Sequence, residues 1–263
     1  MKSSPSLFPI FTLLTIPALT QSQNTTSCPL HPYTIQVFST LPLVIYIADF
    51  ITPTEIAHLQ SISAGKFSNS IIADSSGRQH LATTRTSRST SLESDEIVRC
   101  IEQRALEFQG FNTQRESLEP LQLVKYGLNQ EYHTHTDWFT SPSQTTPSFG
   151  GNRLSSFFVY VHASPDIIGG GTQFPLLDVP QDERWCEYVN CDAEEEDGVV
   201  FRPVQGNAVF WRNLVEVKGR DGIVRFEGDR RTVHAGLPVQ RGEKVGMNVW
   251  TREGVLDERY RSA

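Results

Sequence analysis

The stretch EYHTHTDWF, residues 131–139, places three side chains that commonly bind metals at alternate positions: His133, His135 and Asp137. In a β-strand, side chains at alternate positions point to the same face of the sheet. If this stretch is a strand, one face therefore carries a set of metal ligands. Polar residues along one face are also typical of a half-buried strand turned towards solvent. The stretch alone leaves both interpretations open.

His234 offers a further nitrogen donor, at the end of a strand-like segment that precedes a turn. Two histidines and one carboxylate on one side of a metal leave coordination positions open. Fe(II) in an oxygenase needs such positions for a bidentate co-substrate and O₂. Zinc hydrolases use similar ligands, so the types of donor alone do not identify the metal.

Lys244 follows His234 across the turn and onto the next predicted strand. A 2-oxo acid that chelates iron through its carboxylate and ketone needs a fixed cation for its other carboxylate. A lysine ammonium on a long, flexible stem suits that task. Spacing alone favours a simpler interpretation, which is a surface lysine beside Arg241 and Glu243.

Several blocks between residues 50 and 252, in the same order, resemble the prolyl 4-hydroxylase family of Fe(II)/2-oxoglutarate dioxygenases. YGLNQEYHTHTDWF resembles the family block Y-x-x-G-x-x-Y-x-x-H-x-D. The other blocks, with RTSRSTSL upstream of them, are NRLSSFFVYV, GGTQFP, PVQGNAVFW and VHAGLPVQRGEKVGMNVW. Three features depart from the family pattern: the position of Gly127, Ser156 in place of threonine, and an unexplained segment at 178–198.

The resemblance implies that His135, Asp137 and His234 hold Fe(II), and it leaves His133 as a variable position. It also implies that Lys244 binds the distal carboxylate of 2-oxoglutarate. Hydroxyl groups in the same pocket would come from Tyr126, Thr172 and Tyr160. Each of these three is otherwise a core residue with a satisfied hydroxyl group.

The activity implied by the resemblance is hydroxylation of a peptidyl prolyl residue, with O₂ as oxidant and L-ascorbate to rescue oxidised iron. Candidate peptide contacts are Trp138, Phe139, Trp250 and Arg85, which are otherwise core or surface residues. One alternative is a 2-oxoglutarate oxygenase that acts on another peptide residue or a small molecule, because the motifs do not define the third reactant. Another is a non-catalytic jelly-roll binding module, which the complete set of ligands argues against.

The N-terminus predicts entry into the secretory pathway. Residues 1–22 have one early lysine, an apolar run and small residues that suit a signal peptidase. Asn24 begins a glycosylation sequon just beyond the predicted cleavage site. We expect residence in the endoplasmic reticulum or secretion, with membrane attachment only if the signal is retained. The net charge of −7 argues against nucleic acid as a partner.

Four cysteines fit an oxidising lumen. Cys186 and Cys191 are close enough in sequence to close a small loop with a disulfide, which we prefer to a zinc site because further ligands at suitable spacing are missing. The pairing of Cys28 and Cys100 stays open, since Cys100 falls within a helical pattern and is equally well a simple buried residue.

Two helices are predicted before a series of short strands. The first has a capping box of Thr52 and Glu55 with Pro53 at its first position, and the second has Ser94 as its N-cap. Short strands separated by turn residues from Leu121 onwards predict a mainly β fold, a double-stranded β-helix (jelly roll) with the helices packed outside. We expect a signal at 1–22, an N-terminal segment at 23–49 and one domain at 50–263, with the oxygenase core at about 119–252.

Overall fold

The structure is a computed structural model, and it describes residues 28–73, 79–81, 83–110 and 112–261. The predicted signal and Asn24 lie outside the described residues. Two helices occur in the first half of the chain, α1 (Pro53–Ser63) and α2 (Glu96–Gln109). None of the described helices is long and apolar enough to cross a membrane.

The rest of the regular structure is a set of mostly short strands: β1 (Thr34–Thr40), β2 (Leu43–Ala48), β3 (Ser68–Asn69), β4 (Ile72–Ala73), β5 (Gln79–His80), β6 (Arg88–Ser91), β7 (Gln122–Tyr126), β8 (Tyr132–His135), β9 (Arg153–Ala163), β10 (Ile168–Gly169), β11 (Thr172–Phe174), β12 (Val199–Phe201), β13 (Ala208–Arg212), β14 (Leu214–Lys218), β15 (Val224–Gly228), β16 (His234–Gly236), β17 (Val239–Arg241) and β18 (Lys244–Arg252).

Two antiparallel sheets form the body of the protein. The major sheet has eight strands in the order β1-β2-β13-β9-β18-β7-β6-β3, and the minor sheet has four in the order β12-β11-β16-β8. The remaining strands form three two-stranded pairs, β4 with β5, β10 with β17 and β14 with β15. This arrangement confirms the predicted mainly β, jelly-roll class.

The two faces of the major sheet bury different sets of apolar side chains. Along β9, Phe157 and Val159 point to the cluster that also contains buried residues of α1 and α2. The intervening Phe158 and Tyr160 point to the cluster shared with the minor sheet. Because side chains alternate along a strand, β9 contributes apolar side chains both to the helix side and to the minor-sheet side of the major sheet. The helices therefore cover the outer face, as predicted, and leave the inner face to the minor sheet.

The first helix begins as its capping box predicts. The Glu55 backbone N–H donates to Thr52 Oγ1 at 3.1 Å, and the Thr52 N–H donates to Glu55 Oε2 at 2.7 Å. The predicted N-cap of α2 is wrong by one residue, because Asp95 rather than Ser94 accepts the Val98 N–H, at 2.8 Å. Asp95 is also held from outside the helix by His58, at 2.6 Å. That tertiary contact selects between two adjacent residues that both cap well.

Several strands lie where none was predicted, and β3 to β6, all ahead of Leu121, are among them. Strands β1 and β2 fall within residues 23–49, and both belong to the major sheet. The strands of the domain therefore begin at Thr34 instead of after residue 49. The hairpin of β14 and β15 is a further addition, and it lies between the major-sheet strand β13 and His234.

Two disulfides tie down regions outside the strands. The predicted Cys186–Cys191 bridge is present and closes a short loop, with a sequence separation of 5 residues. A second bridge joins Cys28 to Cys100 on α2, across a separation of 72 residues. This bridge attaches the chain ahead of β1 to the second helix, and it answers the question that the sequence left open.

We expect the long-range disulfide to stabilise the fold more than the short one. By the chain-entropy estimate, the Cys28–Cys100 bridge contributes about 4 kcal/mol and the Cys186–Cys191 bridge about 2 kcal/mol to the free energy of unfolding. Denaturant unfolding of the double serine variants Cys28→Ser/Cys100→Ser and Cys186→Ser/Cys191→Ser measures both. Equal losses, or a larger loss for the short loop, would contradict the expectation.

Candidate active site

The pairing of β8 with β16 brings two histidines together. His135, the last residue of β8, is the direct Cα partner of His234, the first residue of β16. Asp137 lies two residues beyond the end of β8, so the strand is shorter than predicted. One donor atom from each of these three residues lies within 4.8 Å of the other two. The structure therefore brings the three predicted ligands to one point.

Each histidine turns the same ring nitrogen towards the site. His135 Nδ1 donates to the His133 carbonyl at 2.8 Å, and His234 Nδ1 donates to the Thr232 carbonyl at 3.0 Å. Because a carbonyl oxygen only accepts, the proton of each neutral ring sits on Nδ1. The lone pair of Nε2 is then available to a metal ion, and the backbone fixes the orientation of both rings.

The protonation states of the site also suit a divalent cation. Burial, supported by the nearby His234, lowers the pKa of His135 to about 3 against the opposing effect of Asp137. Burial alone would raise the pKa of Asp137, but His234, Arg153 and His135 lower it to about 2. A neutral imidazole and an ionised carboxylate are the forms that bind metals, so the residues fit Fe(II).

His133 stays apart from this group, as its variable position in the motif implies. Its side chain is 52% exposed, and its Nε2 lies 3.2 Å from Oε1 of Glu131. Alternation along the strand would have placed it on the same face as the two ligands. It lines the same cavity, but its donor atoms are not part of the three-residue group, and its Nε2 contacts Glu131 instead.

A cavity of about 1160 Å³ opens above the three ligands. Lys244 is fully buried and does not line the cavity itself; it lies behind the lining residue Tyr126, which it faces where β18 pairs with β7. Its ammonium group donates to the Gly170 carbonyl and lies 4.6 Å from the centre of the Tyr126 ring. Burial lowers the pKa of Lys244 to about 7. The simpler interpretation, a surface lysine, is wrong.

The three predicted hydroxyl residues occupy different depths. Tyr126 and Thr172 line the cavity. Tyr160 is fully buried, and its hydroxyl donates to Thr172 Oγ1 at 2.8 Å. Burial raises the pKa of Tyr126 to about 12, so its hydroxyl stays protonated and able to donate. Tyr160 thus reaches the cavity only through Thr172, and its core interpretation fits better.

Another wall of the cavity consists of aromatic rings with arginine guanidinium groups stacked against them. The Arg153 guanidinium lies 3.6 Å from the centre of the Trp250 ring and 4.8 Å from that of Phe139. Arg252 covers Phe139 as well, at 4.8 Å. Glu119 accepts a hydrogen bond from each arginine, at 2.7 and 2.6 Å. We refer to these five residues as the stacked wall.

Sequence reasoning missed three members of the stacked wall, Glu119, Arg153 and Arg252. A signal for Arg153 was present, because it is the arginine that opens the block NRLSSFFVYV. Arginine is usually an exposed residue, so its type did not suggest a cavity wall. The predicted peptide contacts Phe139 and Trp250 do line the cavity, although Trp250 is buried.

The two remaining candidates for peptide contact also line the cavity. The Arg85 guanidinium lies 4.8 Å from the centre of the Tyr132 ring, and Tyr132 stacks on His135 with ring centres 3.6 Å apart. Trp138 donates from its indole N–H to the Asp229 carbonyl at 3.3 Å. All four predicted peptide contacts therefore line one cavity.

Comparison with known proteins identifies the family. A sequence profile described as the 2OG-Fe(II) oxygenase superfamily matches residues 121–252. Prolyl 4-hydroxylase subunit alpha-2 of Gallus gallus is 30% identical over 215 residues, which cover 81% of this chain and 34% of that protein. Prolyl 4-hydroxylase 1 of Arabidopsis thaliana is 29% identical over 223 residues, which cover 83% of this chain and 71% of that protein.

A solved structure shows the same fold. The viral collagen prolyl hydroxylase of Paramecium Bursaria Chlorella virus-1, in its 2OG complex, matches with a TM-score of 0.52 and 22% identity over 79% of this chain and 94% of that one. The chain spans about a third of the chicken subunit, so that protein's full activity does not transfer with the match. Because the profile covers half of the chain and includes His135, Asp137 and His234, the chain belongs to the 2OG-Fe(II) oxygenase superfamily and is prolyl 4-hydroxylase-like.

Proposed function

We propose that the protein is an Fe(II)- and 2-oxoglutarate-dependent dioxygenase that hydroxylates peptidyl proline. The observation that carries this proposal is the meeting of His135, Asp137 and His234 in one cavity, beside the buried ammonium of Lys244. A metal site alone would fit hydrolases as well as oxygenases. The buried cation next to it fits a co-substrate with a second carboxylate.

In this proposal His135, Asp137 and His234 hold Fe(II). Ferrous iron with 2-oxoglutarate would supply the oxidation, in which O₂ converts 2-oxoglutarate to succinate and CO₂ and one oxygen atom enters a C–H bond of the substrate. The three protein ligands leave coordination positions free for the other reactants. The backbone carbonyls behind both histidines keep the rings from turning.

Lys244 anchors the distal carboxylate of 2-oxoglutarate. Its ammonium has a carbonyl oxygen and two aromatic rings as neighbours, Gly170, Tyr126 and Phe158. No carboxylate in the described part of the chain pairs with this ammonium. Such a buried cation attracts an anion strongly, because the low local dielectric weakens screening. Tyr126 and Thr172 offer hydroxyl donors to the same carboxylate, since both line the cavity.

The stacked wall supports a proline-containing peptide as the third reactant. It presents flat rings, and a prolyl ring packs well against such surfaces because it has no polar side-chain atoms. Glu119 neutralises part of the charge of Arg153 and Arg252, so the wall does not require an acidic substrate. Relatives at about 30% identity are named prolyl 4-hydroxylases, which supports the same choice.

Two further parts of the proposal concern reductant and compartment. L-ascorbate would return iron that has been oxidised without substrate to the ferrous state. Two disulfides support folding in an oxidising compartment, and the signal-like N-terminus supports the secretory pathway. We place the protein in the lumen or membrane of the endoplasmic reticulum, or outside the cell.

The test is succinate formation by the purified protein with Fe(II), ascorbate and 2-oxoglutarate. Proline-rich peptides are compared with matched peptides in which alanine replaces proline. We expect proline-dependent stimulation of succinate formation and the gain of one oxygen atom on proline by mass spectrometry. The Asp137→Ala variant, assayed in parallel, accounts for succinate formed by free iron.

The remaining outcomes separate the alternatives. Succinate that no peptide stimulates would keep the oxygenase and reject peptidyl proline, which leaves another peptide residue or a small molecule as substrate. No succinate above the Asp137→Ala background, despite bound iron, would reject the enzyme and favour a binding module.

A further inference from the structure

A chain of buried hydrogen bonds leads from Trp211 to the carboxylate of Asp137. The Trp211 indole N–H donates to Asn213 Oδ1 at 2.8 Å, and Asn213 Nδ2 donates to Ser156 Oγ at 2.9 Å. Ser156 Oγ then donates to Asp137 Oδ2 at 2.6 Å. Trp211, Asn213 and Ser156 are each at most 1% exposed, so water does not compete for these bonds.

Sheet pairing explains why these residues meet. Strand β13 pairs with β9, and Trp211 is the Cα partner of Ser156. Asn213 follows directly after β13, where its backbone N–H donates to the Leu154 carbonyl at 2.9 Å. The Asp229 N–H in turn donates to the Asn213 carbonyl at 2.8 Å. Both ends of the Asn213 backbone are therefore fixed, and its side chain has a defined place behind Asp137.

The directions of the bonds in this chain are fixed from both ends, because the Trp211 indole N–H can only donate and the ionised Asp137 carboxylate can only accept. An indole N–H is a donor without acceptor capacity, so the Asn213 amide must turn its oxygen to Trp211. The amide nitrogen then faces Ser156 and occupies a lone pair of its hydroxyl oxygen. The single hydroxyl proton of Ser156 is left for Asp137. Trp211 thus orients the Asn213 amide, and through it Ser156, so that the donor to Asp137 lies three hydrogen bonds along the chain.

The same tryptophan contacts a second ligand of the candidate metal site. Its ring lies against His234, with ring centres 4.7 Å apart and an interplanar angle of 62°. On the other side, the Trp250 indole N–H donates to Asp137 Oδ2 at 3.0 Å, the same oxygen that Ser156 contacts. Two donors on one oxygen hold the carboxylate plane against rotation.

We propose that Trp211, Asn213 and Ser156 are positioning residues, which fix the Asp137 carboxylate in its metal-binding orientation and thereby set the affinity for the metal. This inference rests on the proposed metal site. It assigns a function to the serine that departs from the family pattern: the hydroxyl group is the part that matters, and serine or threonine can supply it.

The test is metal binding to the metal-free protein, titrated with Co(II) or Mn(II), so that no catalytic turnover enters the measurement. We expect Ser156→Ala to raise the Kd by about 10- to 100-fold, the usual effect of losing a group that orients a ligand. Ser156→Thr should restore the wild-type Kd. Trp211→Phe, which keeps a ring against His234 but removes the N–H, should weaken binding in the same direction.

A double variant examines the chain as a unit. If Trp211 acts on Asp137 through Ser156, Ser156→Ala combined with Trp211→Phe should bind metal no more weakly than Ser156→Ala alone. Independent, additive losses would show that Trp211 acts only through its ring on His234, and would overturn the proposed chain.

Ser155→Ala is the matched control, since Ser155 is the next residue on β9, is 2% exposed, and donates to Gln109 Oε1 on the opposite face. We expect an unchanged Kd for this variant. Equal weakening in both serine variants, accompanied by equal losses of thermal stability, would reduce the effect to general destabilisation and overturn the proposal.

The failure of this inference can be distinguished from failure of the proposed metal site. An unchanged Kd in Ser156→Ala, with binding that still disappears in His135→Ala, would overturn only the positioning role. No metal binding by the wild-type protein would reject the site itself, and the positioning role with it.

Discussion

Asp137→Ala is expected to lower turnover by more than about 100-fold, since loss of a direct ligand should exceed the usual effect of losing a group behind one. His133→Ala, four residues earlier, should keep most of the activity. The reason is geometric. Asp137 is buried with its carboxylate 3.9 Å from His234 Nε2, whereas the His133 side chain is half exposed and contacts Glu131.

The two positions make a matched comparison, because they lie in one short segment and differ in burial and in the groups that they contact. The two variants are compared by their metal content after equilibration with Mn(II) and by their rates of succinate formation. Asp137→Asn keeps the shape of the side chain while removing the charge, and it should also lose the metal. Wild-type activity in Asp137→Ala would refute the ligand assignment. Equal losses of activity in Asp137→Ala and His133→Ala would mean that the family block was aligned in the wrong register and that His133 is not a variable position.

Local patterns predicted much of the fold. The capping box of α1 and most strands from β7 onwards occur where turn residues and alternation placed them. Local patterns failed where a distant contact decided the result. Asp95 caps α2 because His58 reaches it from α1, and nothing adjacent to Ser94 in sequence shows that contact. Strands β1 and β2 lie ahead of the first recognised motif, so the resemblance gave no reason to expect them.

The candidate site shows the same division. Residue types and spacing suggested His133, His135 and Asp137 together as metal ligands. Only the resemblance to the family block distinguished His133, as a variable position, from the other two. The pairing of β8 with β16, which joins His135 to His234, depends on hydrogen bonds between distant segments. The stacked wall was harder to find, since buried arginines need a carboxylate and ring partners that the sequence does not place side by side.

The affinity for 2-oxoglutarate is expected to fall as the pH rises from 7 to 9. Burial lowers the pKa of Lys244 to about 7, so the free protein loses the ammonium charge across this interval. Since the distal carboxylate binds the charged form, the apparent Kd should increase by about 50-fold, because each pH unit above the pKa reduces the charged fraction by about tenfold. The affinity should be nearly constant below pH 6, where the ammonium is fully charged.

Three other groups of the site, Asp137, His135 and Tyr126, do not titrate between pH 7 and 9. The pKa values of Asp137 and His135 lie at about 2 and 3, and that of Tyr126 at about 12. Lys244→Met removes the charge at every pH, so it should bind 2-oxoglutarate weakly and with little pH dependence. Lys244→Arg keeps a charge throughout and should flatten the pH profile even if its larger head group fits less well. Titration of 2-oxoglutarate into the Mn(II)-loaded variants measures all three profiles. A pH profile in Lys244→Met as steep as in the wild type would mean that another group anchors the carboxylate.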